Sequence, residues 1–196
     1  MILTVGHSNH PIARFVELLT QHAVATVVDV RSTPFSRFNP QFNRQSLEAA
    51  LVSAGICYLY LGEELGARST DPACYEGDRV SYARLAQSAP FKLGLQRVRA
   101  EAHAHRLALM CAEREPLDCH RTILVSRELT RSGVVVAHIL ADGSLEPHER
   151  TVERLLESEQ LAAADLFLDS ARLVDAAYDA RGAKIAYLRP PQGIKR

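Results

Sequence analysis

Five short apolar runs, each followed by a polar turn and a stretch of helical periodicity, constrain this chain more than any other feature. They are ILTVG (2–6), TVVDV (26–30), CYLYL (57–61), RLALMC (106–111) and VVVAHIL (134–140). Runs this short, apolar throughout and rich in β-branched residues read as strands buried on both faces. After the first run, Pro11 sits where a helix can begin without losing a bonded N–H, and Ile12, Phe15, Val16 and Leu19 share one face. Ser46 is expected to cap a second helix that carries Leu47, Ala50, Leu51 and Ala54 and ends at Gly55. Residues 79–104 read as helical with a break at Pro90, and a helix after Cys119 runs to Gly133. Two more helices are expected at 149–159 and 170–181. KIAYL (184–188) is expected as an edge strand or a docking segment. This alternation predicts a three-layer α/β fold, a mostly parallel, Rossmann-like sheet of about five to six strands with helices on both faces. Residues 1–150 are expected to form that domain. Residues 151–196 are expected to add a helical extension packed on it, with a loose tail at Pro190–Pro191.

In open sheets of this kind, ligands bind beyond the carboxyl ends of the strands, where strand order reverses. Polar residues collect at those ends. His7 and Ser8 follow the first strand, Arg31, Ser32, Ser36 and Arg37 the second, and Gly62, Glu63, Glu64, Gly66 and Arg68 the third. The fourth opens into the densest stretch, MCAEREPLDCHR (110–121). If the first and fourth strands are neighbours, His7 and Cys119 face one cleft.

Asp118 is a good helix N-cap, so Cys119, His120 and Arg121 are expected in a first helical turn, where free N–H groups favour an anion and lower a thiol pKa. Cys119 is then a candidate nucleophile, His120 an acid or base, and Arg121 a fork for phosphate or carboxylate. Cys111 and Glu113, two apart at a strand end, share a side. Glu113 is a candidate base or a group that orients His120, and Cys111 a ligand contact or the last core residue of its strand. As a weaker alternative, Cys111, Cys119, His120 and His7 offer ligands to a zinc or iron ion, although no CxxC, HxxxH or HExxH spacing accompanies them. His138 and His148 read as ordinary surface or strand-end histidines. The cysteine-to-arginine spacing of the phosphatase loop would need arginine at 117 or 125, where the chain has Leu117 and Val125. Walker A, GxGxxG and GxSxG sequences are lacking, so neither a P-loop, a standard dinucleotide fingerprint nor a nucleophile elbow is present, and the cofactor is left unknown.

RSTPFSRFNPQFN (31–43) is long for a strand-to-helix connection, and it interleaves Arg31 and Arg37 with Phe35, Phe38 and Phe42, with Arg44 next in line. The phenylalanines are either stacking platforms for bases or anchors to the core. ARSTDPACYEGDRV (67–80) is expected as a mobile lid. Cys57 is expected in the core, with Cys74 incidental.

Lys+Arg and Asp+Glu both number 23, so net charge gives no pull toward nucleic acid or an anionic membrane, and such contact would need a local patch. The start lacks a basic segment followed by a long apolar one, and no apolar stretch would span a bilayer. The four cysteines are accordingly expected as reduced thiols in a cytoplasmic protein.

TVGHSN (4–9), VVDVRSTPFSRFNPQFN (27–43), YLYLGEELG (58–66), CAEREPLDCHR (111–121) and HILADG (138–143), in that order, resemble the domain-of-unknown-function 488 family over about residues 2–150. The IAYL near the end is similar to tails of longer members. The resemblance implies a Rossmann-like domain of soluble prokaryotic proteins. The positions that match are His7, Ser8, Asp29, Arg31, Pro34, Ser36, Cys111, Glu113, Cys119, His120 and Arg121. Where many members carry a more glycine-rich LGG-type stretch, this chain has LGEELGAR, which gives no ground for a bare backbone phosphate cradle. The resulting expectation is an enzyme of transfer or hydrolysis acting on an anionic ligand such as a nucleotide, nucleoside or nucleic-acid base. Cys119, His120, Glu113 and His7 would do the chemistry, and Ser8, Arg31, Ser36, Arg37, Arg121 and Cys111 would line the site. The alternatives are a non-catalytic nucleotide or nucleic-acid binding module and a Cys/His metal protein.

Overall fold

The computed structural model describes residues 1–161 and 170–190. In chain order the elements are β1 (Ile2–Gly6), α1 (Ile12–Gln21), β2 (Thr26–Asp29), α2 (Arg44–Ser53), β3 (Cys57–Tyr60) and α3 (Gly62–Leu65). A small hairpin, β4 (Tyr75–Glu76) and β5 (Arg79–Val80), leads to α4 (Tyr82–Gln87), α5 (Ala89–Ala104), β6 (Leu107–Cys111) and α6 (Arg127–Arg131). β7 (Val136–Ile139), β8 (Leu145–Pro147), α7 (His148–Ser158) and α8 (Ser170–Ile185) complete it.

The main sheet has the order β3-β2-β6-β1-β7-β8. Every pairing in it is parallel except β7 with β8. Strand periodicity sends alternate residues to opposite faces. Leu3, Val5, Val27, Ala108 and Met110 pack against Phe15 and Leu19 of α1 and Leu47 and Leu51 of α2. Ile2, Val28, Leu107, Leu109 and Cys111 pack on the other side against Leu65, Phe91, Val98, Leu124 and Leu129. The fold is therefore the expected three-layer α/β arrangement. Because the helix after β1 lies on one face and the helical segment after β6 on the other, these two hydrogen-bonded strands form a topological switch point.

Several local expectations change. The sixth strand is β8, formed by the chain turning back through Gly143 (φ +97°), and not 184–188. Residues Tyr187–Arg189 instead dock on the small hairpin. Val80 N–H donates to the Tyr187 carbonyl, Arg189 N–H donates to the Asp78 carbonyl, and the Arg189 guanidinium lies 3.9 Å over the Tyr75 ring. That docking, with the buried Cys74 and Tyr75, ties the 74–80 end of the segment expected as a lid to the rest of the domain, whereas residues 70–73 are exposed. Residues 79–80 are strand, and the helical break falls at Ser88, which caps α5. α2 begins at Arg44, so Ser46 lies inside it. Cys57, on the edge strand β3, is exposed, and all four thiols are free. The tail expected to be loose lies, beyond Pro190, outside the described residues. Among those described, no helix is long and apolar enough to cross a membrane.

His138 and His148 are not surface residues but buried members of a chain of bonds. Thr4 Oγ1 lies 2.7 Å from His138 Nδ1, His138 Nε2 lies 2.9 Å from His148 Nδ1, and His148 Nε2 lies 2.8 Å from the Tyr178 hydroxyl. The chain links β1, β7, α7 and α8. Beside it, Leu117, Ile123, Leu155, Ala177 and Tyr178 form a third apolar cluster.

Candidate functional site

The backbone after β6 passes over the end of β1, held by His7 N–H to the Cys111 carbonyl and Ser8 N–H to the Ala112 carbonyl. Gly6 makes that passage possible. A Cβ there would stand 1.9 Å from the Glu113 carbonyl oxygen. Gly6→Ala is therefore expected to push strand and loop apart, costing about 1–3 kcal/mol and disordering the side chains beyond. A urea midpoint indistinguishable from that of the parent would refute this.

Beyond Glu113 the chain makes a tight turn, Pro116–Asp118, capped by the Glu115 side chain, which accepts from Leu117 N–H. Asp118 lies in that turn and caps nothing. Cys119 is extended. Its carbonyl accepts from the N–H groups of Thr122 and Ile123, and its sulfur accepts from Arg121 N–H at 3.4 Å. Cys119 thus opens a wide π-helical turn, Arg121–Ser126, every residue of which is buried. Such turns recur at functional sites.

This geometry gathers four reactive groups. One donor atom from each of Cys111, Glu113, Cys119 and His120 lies within 4.8 Å of the others. Cys119 Sγ and Glu113 Oε2 are 2.9 Å apart and share a proton. His120 Nδ1 faces Cys111 Sγ at 3.5 Å, while its Nε2–H donates to the Val30 carbonyl at 3.0 Å. Burial alone would raise the Cys119 thiol, but the Cys111 thiol, the Arg121 charge and His120 outweigh it and hold Cys119 well below the ordinary range. Cys111 is pushed well up by burial and by its neighbours Cys119 and Glu113. Glu113 is raised by burial and by Cys119. Burial opposes protonation of His120, yet its contact with Cys119 raises it.

The cluster forms one end of a cavity of about 230 Å³ at the carboxyl ends of β2 and β6. Cys111, Glu113 and His120 line it together with Arg31, Ser32, Thr33, Arg68 and Asp118. Tyr82, Ile185 and Tyr187 close it from distant parts of the chain. The Arg68 guanidinium stacks 4.8 Å over the Tyr187 ring and, among the described residues, has no acidic partner within ion-pair distance.

Of the other expected site residues, Arg31 alone lines the cavity, and His7, Ser8, Ser36, Arg37 and Arg121 do not. β1 and β6 are neighbours, yet His7 does not line the cavity. Its ring stacks on Phe42 with centroids 4.2 Å apart, its Nδ1–H donates to the Ser8 carbonyl, and its Nε2 accepts from Arg31. Burial, then the Arg31 charge, lowers His7 to about 4, so it is neutral and positions Arg31. Arg31 itself is largely committed. It makes a two-pronged pair with the buried Asp29, at 2.9 and 2.6 Å, and donates to the Phe42 carbonyl. Arg121 is fully enclosed and donates to the carbonyls of Glu113 and Arg114, which shapes the loop. Among the described residues, the Ser8 hydroxyl donates to Asn9 Oδ1. Ser36 Oγ accepts from the N–H groups of Phe38 and Asn39 and holds its loop. Arg37 is exposed outside the cavity. Of the loop phenylalanines, Phe42 is the anchor, whereas Phe35 and Phe38 are 65% and 89% exposed. Tyr82 and Tyr187 carried no local signal, because only the fold brings them to the cavity.

The model of a family described as Domain of unknown function DUF488 matches residues 11–127, more than half of the chain. The match contains the four-residue cluster, Arg31, Arg68 and Tyr82, and stops short of Ile185 and Tyr187. No curated protein and no solved structure matches.

Proposed function

The chain belongs to the family described as Domain of unknown function DUF488, and from that premise and the geometry of the site we propose that it is an enzyme of group transfer or hydrolysis acting on a compact anionic ligand of the nucleotide class. One observation carries the reading. A single cavity at the strand ends combines a guanidinium free of acidic partners, two tyrosine rings and a thiol–imidazole–carboxylate cluster. Its volume lies below the range usual for drug-sized ligands, which favours a mononucleotide or part of one over an extended dinucleotide. In this reading Arg68 holds the anion, assisted by the Ser32 and Thr33 hydroxyls. Tyr82 and Tyr187 offer flat apolar contact to a base. Cys111, Cys119, Glu113 and His120 supply the chemistry from below.

The test is a titration of the full chain with nucleoside mono-, di- and triphosphates and with inorganic phosphate, followed by thermal shift. A nucleotide should bind, and Arg68→Ala should weaken it roughly 10–100-fold, the loss of one charge-assisted contact. Glu113→Gln should retain binding and lose turnover. If the folded chain binds none of these ligands at millimolar concentration, the reading is wrong.

A second reading, a nucleic-acid binding module, is favoured by the exposure of Phe35 and Phe38 on either side of Arg37. In that case Phe38→Ala should weaken a single-stranded oligonucleotide by the equivalent of about 1–3 kcal/mol, with an affinity that falls as salt rises.

A further inference from the structure

We infer that Cys111, Cys119, His120 and Glu113 bind a zinc(II) ion beneath the cavity. The inference goes beyond the ligand reading and stands on the cluster alone.

The donor set suits the metal. Two thiols, an imidazole and a carboxylate make a mixed sulfur, nitrogen and oxygen set that a borderline-soft ion accepts and that magnesium or calcium does not favour. The spacing suits it as well. In a tetrahedral zinc site with bonds of about 2.3 Å to sulfur and about 2.0–2.1 Å to nitrogen, sulfur and nitrogen stand about 3.6 Å apart. Cys111 Sγ and His120 Nδ1 are 3.5 Å apart. Glu113, at 2.9 Å from Cys119 Sγ, needs to withdraw by only about 0.7 Å to reach the corresponding sulfur–oxygen edge. It is the exposed member of the set and closes the site on the cavity side.

The surroundings are those of a ligand shell. His120 gives its Nε2–H to the Val30 carbonyl, which fixes the tautomer and leaves the Nδ1 lone pair pointing at the cluster. Cys119 Sγ accepts the Arg121 backbone N–H, as a thiolate ligand does. Charge gives an independent argument. Arg121 is 0% exposed, its Nε has no hydrogen-bond partner, and among the described residues no acid pairs with it. A buried cation of this kind requires a neighbouring negative charge. Two thiolates and one carboxylate around a divalent ion leave one net negative charge, which Arg121 balances. On binding, each thiol releases its proton to solvent as its sulfur takes the metal.

Three of the four ligands, Cys111, Cys119 and His120, stand in the sequence without a standard metal-binding spacing, because they come from a strand end and a helix start. The fourth ligand is Glu113, where the sequence had suggested His7.

The experiment uses the full chain, stripped with chelator, dialysed, and titrated with zinc(II) or with cobalt(II) as a coloured substitute. One equivalent should bind. The cobalt form should show thiolate-to-cobalt charge transfer and the intense visible bands of a tetrahedral site. Cys111→Ser and Cys119→Ser should each weaken zinc by more than about 100-fold, beyond the loss usual for second-shell changes. Glu113→Gln should weaken it less, and Cys57→Ser should bind as the parent does. Circular dichroism identifies any variant that fails to fold. A folded parent chain that takes up no cobalt, a cobalt spectrum without the thiolate band, or a band that depends on Cys57 would each overturn the inference. Nucleotide binding, measured separately on the zinc-free chain, reports on the proposed function without bearing on this result.

Discussion

Asp29→Ala is expected to remove about 3–5 kcal/mol of folding stability, the cost of leaving a buried charge without its partner. Asp29 is fully buried and accepts from four donors: the Arg31 backbone N–H, its Nε and Nη2, and the Tyr58 hydroxyl at 2.8 Å. Without the carboxylate, the guanidinium stays enclosed, with only the neutral His7 and the Phe42 carbonyl as partners. The double variant Asp29→Ala with Arg31→Met should recover a large part of the loss, because no charge is then buried alone. Urea midpoints of the parent, the single and the double variant measure this. A single variant that loses less than about 1 kcal/mol, or a double variant worse than the sum of its parts, would contradict the account.

Acid should begin to destabilise the chain before most of its carboxylates titrate. His7 and His148 are both held at about 4 against an ordinary 6.5, with burial the main cause in each. His7 also faces the Arg31 charge, opposed by Asp29 and Glu113, and His148 feels Glu149. His138 is lowered too, by burial and then by His148, Arg121 and Arg154. The folded chain keeps these rings neutral, while the unfolded chain protonates them below about 6.5. Protons therefore favour the unfolded state, and stability falls as pH drops from about 6.5 toward 4. The gap from 6.5 to about 4 is worth about 3 kcal/mol for each of the two histidines. Stability above pH 7 should be flat with respect to these groups. Urea midpoints at several pH values, taken with chelator present, give the profile. His148→Gln keeps a polar side chain without the titration and should flatten the acid limb by the share of one of the three buried histidines, about 3 kcal/mol. An unchanged limb would show that the buried histidines do not set it.

The architecture was legible because strand length and helical periodicity are local properties. The five apolar runs all became strands of one sheet, and Pro11 and Gly133 stand at helix ends. β8 escaped notice because Leu145–Pro147 is short, ends in proline and owes its pairing to the hairpin at Gly143. The dense stretch after β6 was recognisable by composition, and the structure does bring Cys111, Glu113, Cys119 and His120 together. The roles inside it were less accessible. Asp118 has the chemistry of a cap, but it lies inside the Pro116–Asp118 turn, and the helical turn beyond opens on the Cys119 carbonyl with His120 at its N-cap. For the arginines, composition gave the place but not the partners: guanidinium groups next to strand ends suggest anion binding, while Arg31 is bonded to Asp29 and Arg121 to two loop carbonyls. Arg68, in an unremarkable polar loop, is the one that lines the cavity free of acidic partners.

The docking of Tyr187–Arg189 on the β4–β5 hairpin has a consequence for synthesis. The sheet and the four-residue cluster lie within the stretch up to residue 147, whereas one wall of the cavity is Ile185 and Tyr187. A nascent chain leaving the ribosome can form its reactive floor while that wall is still in the exit tunnel. The cavity closes only once Ile185 and Tyr187 are in place, so a truncated product would leave Cys111, Glu113 and His120 open on the side where Tyr187 belongs.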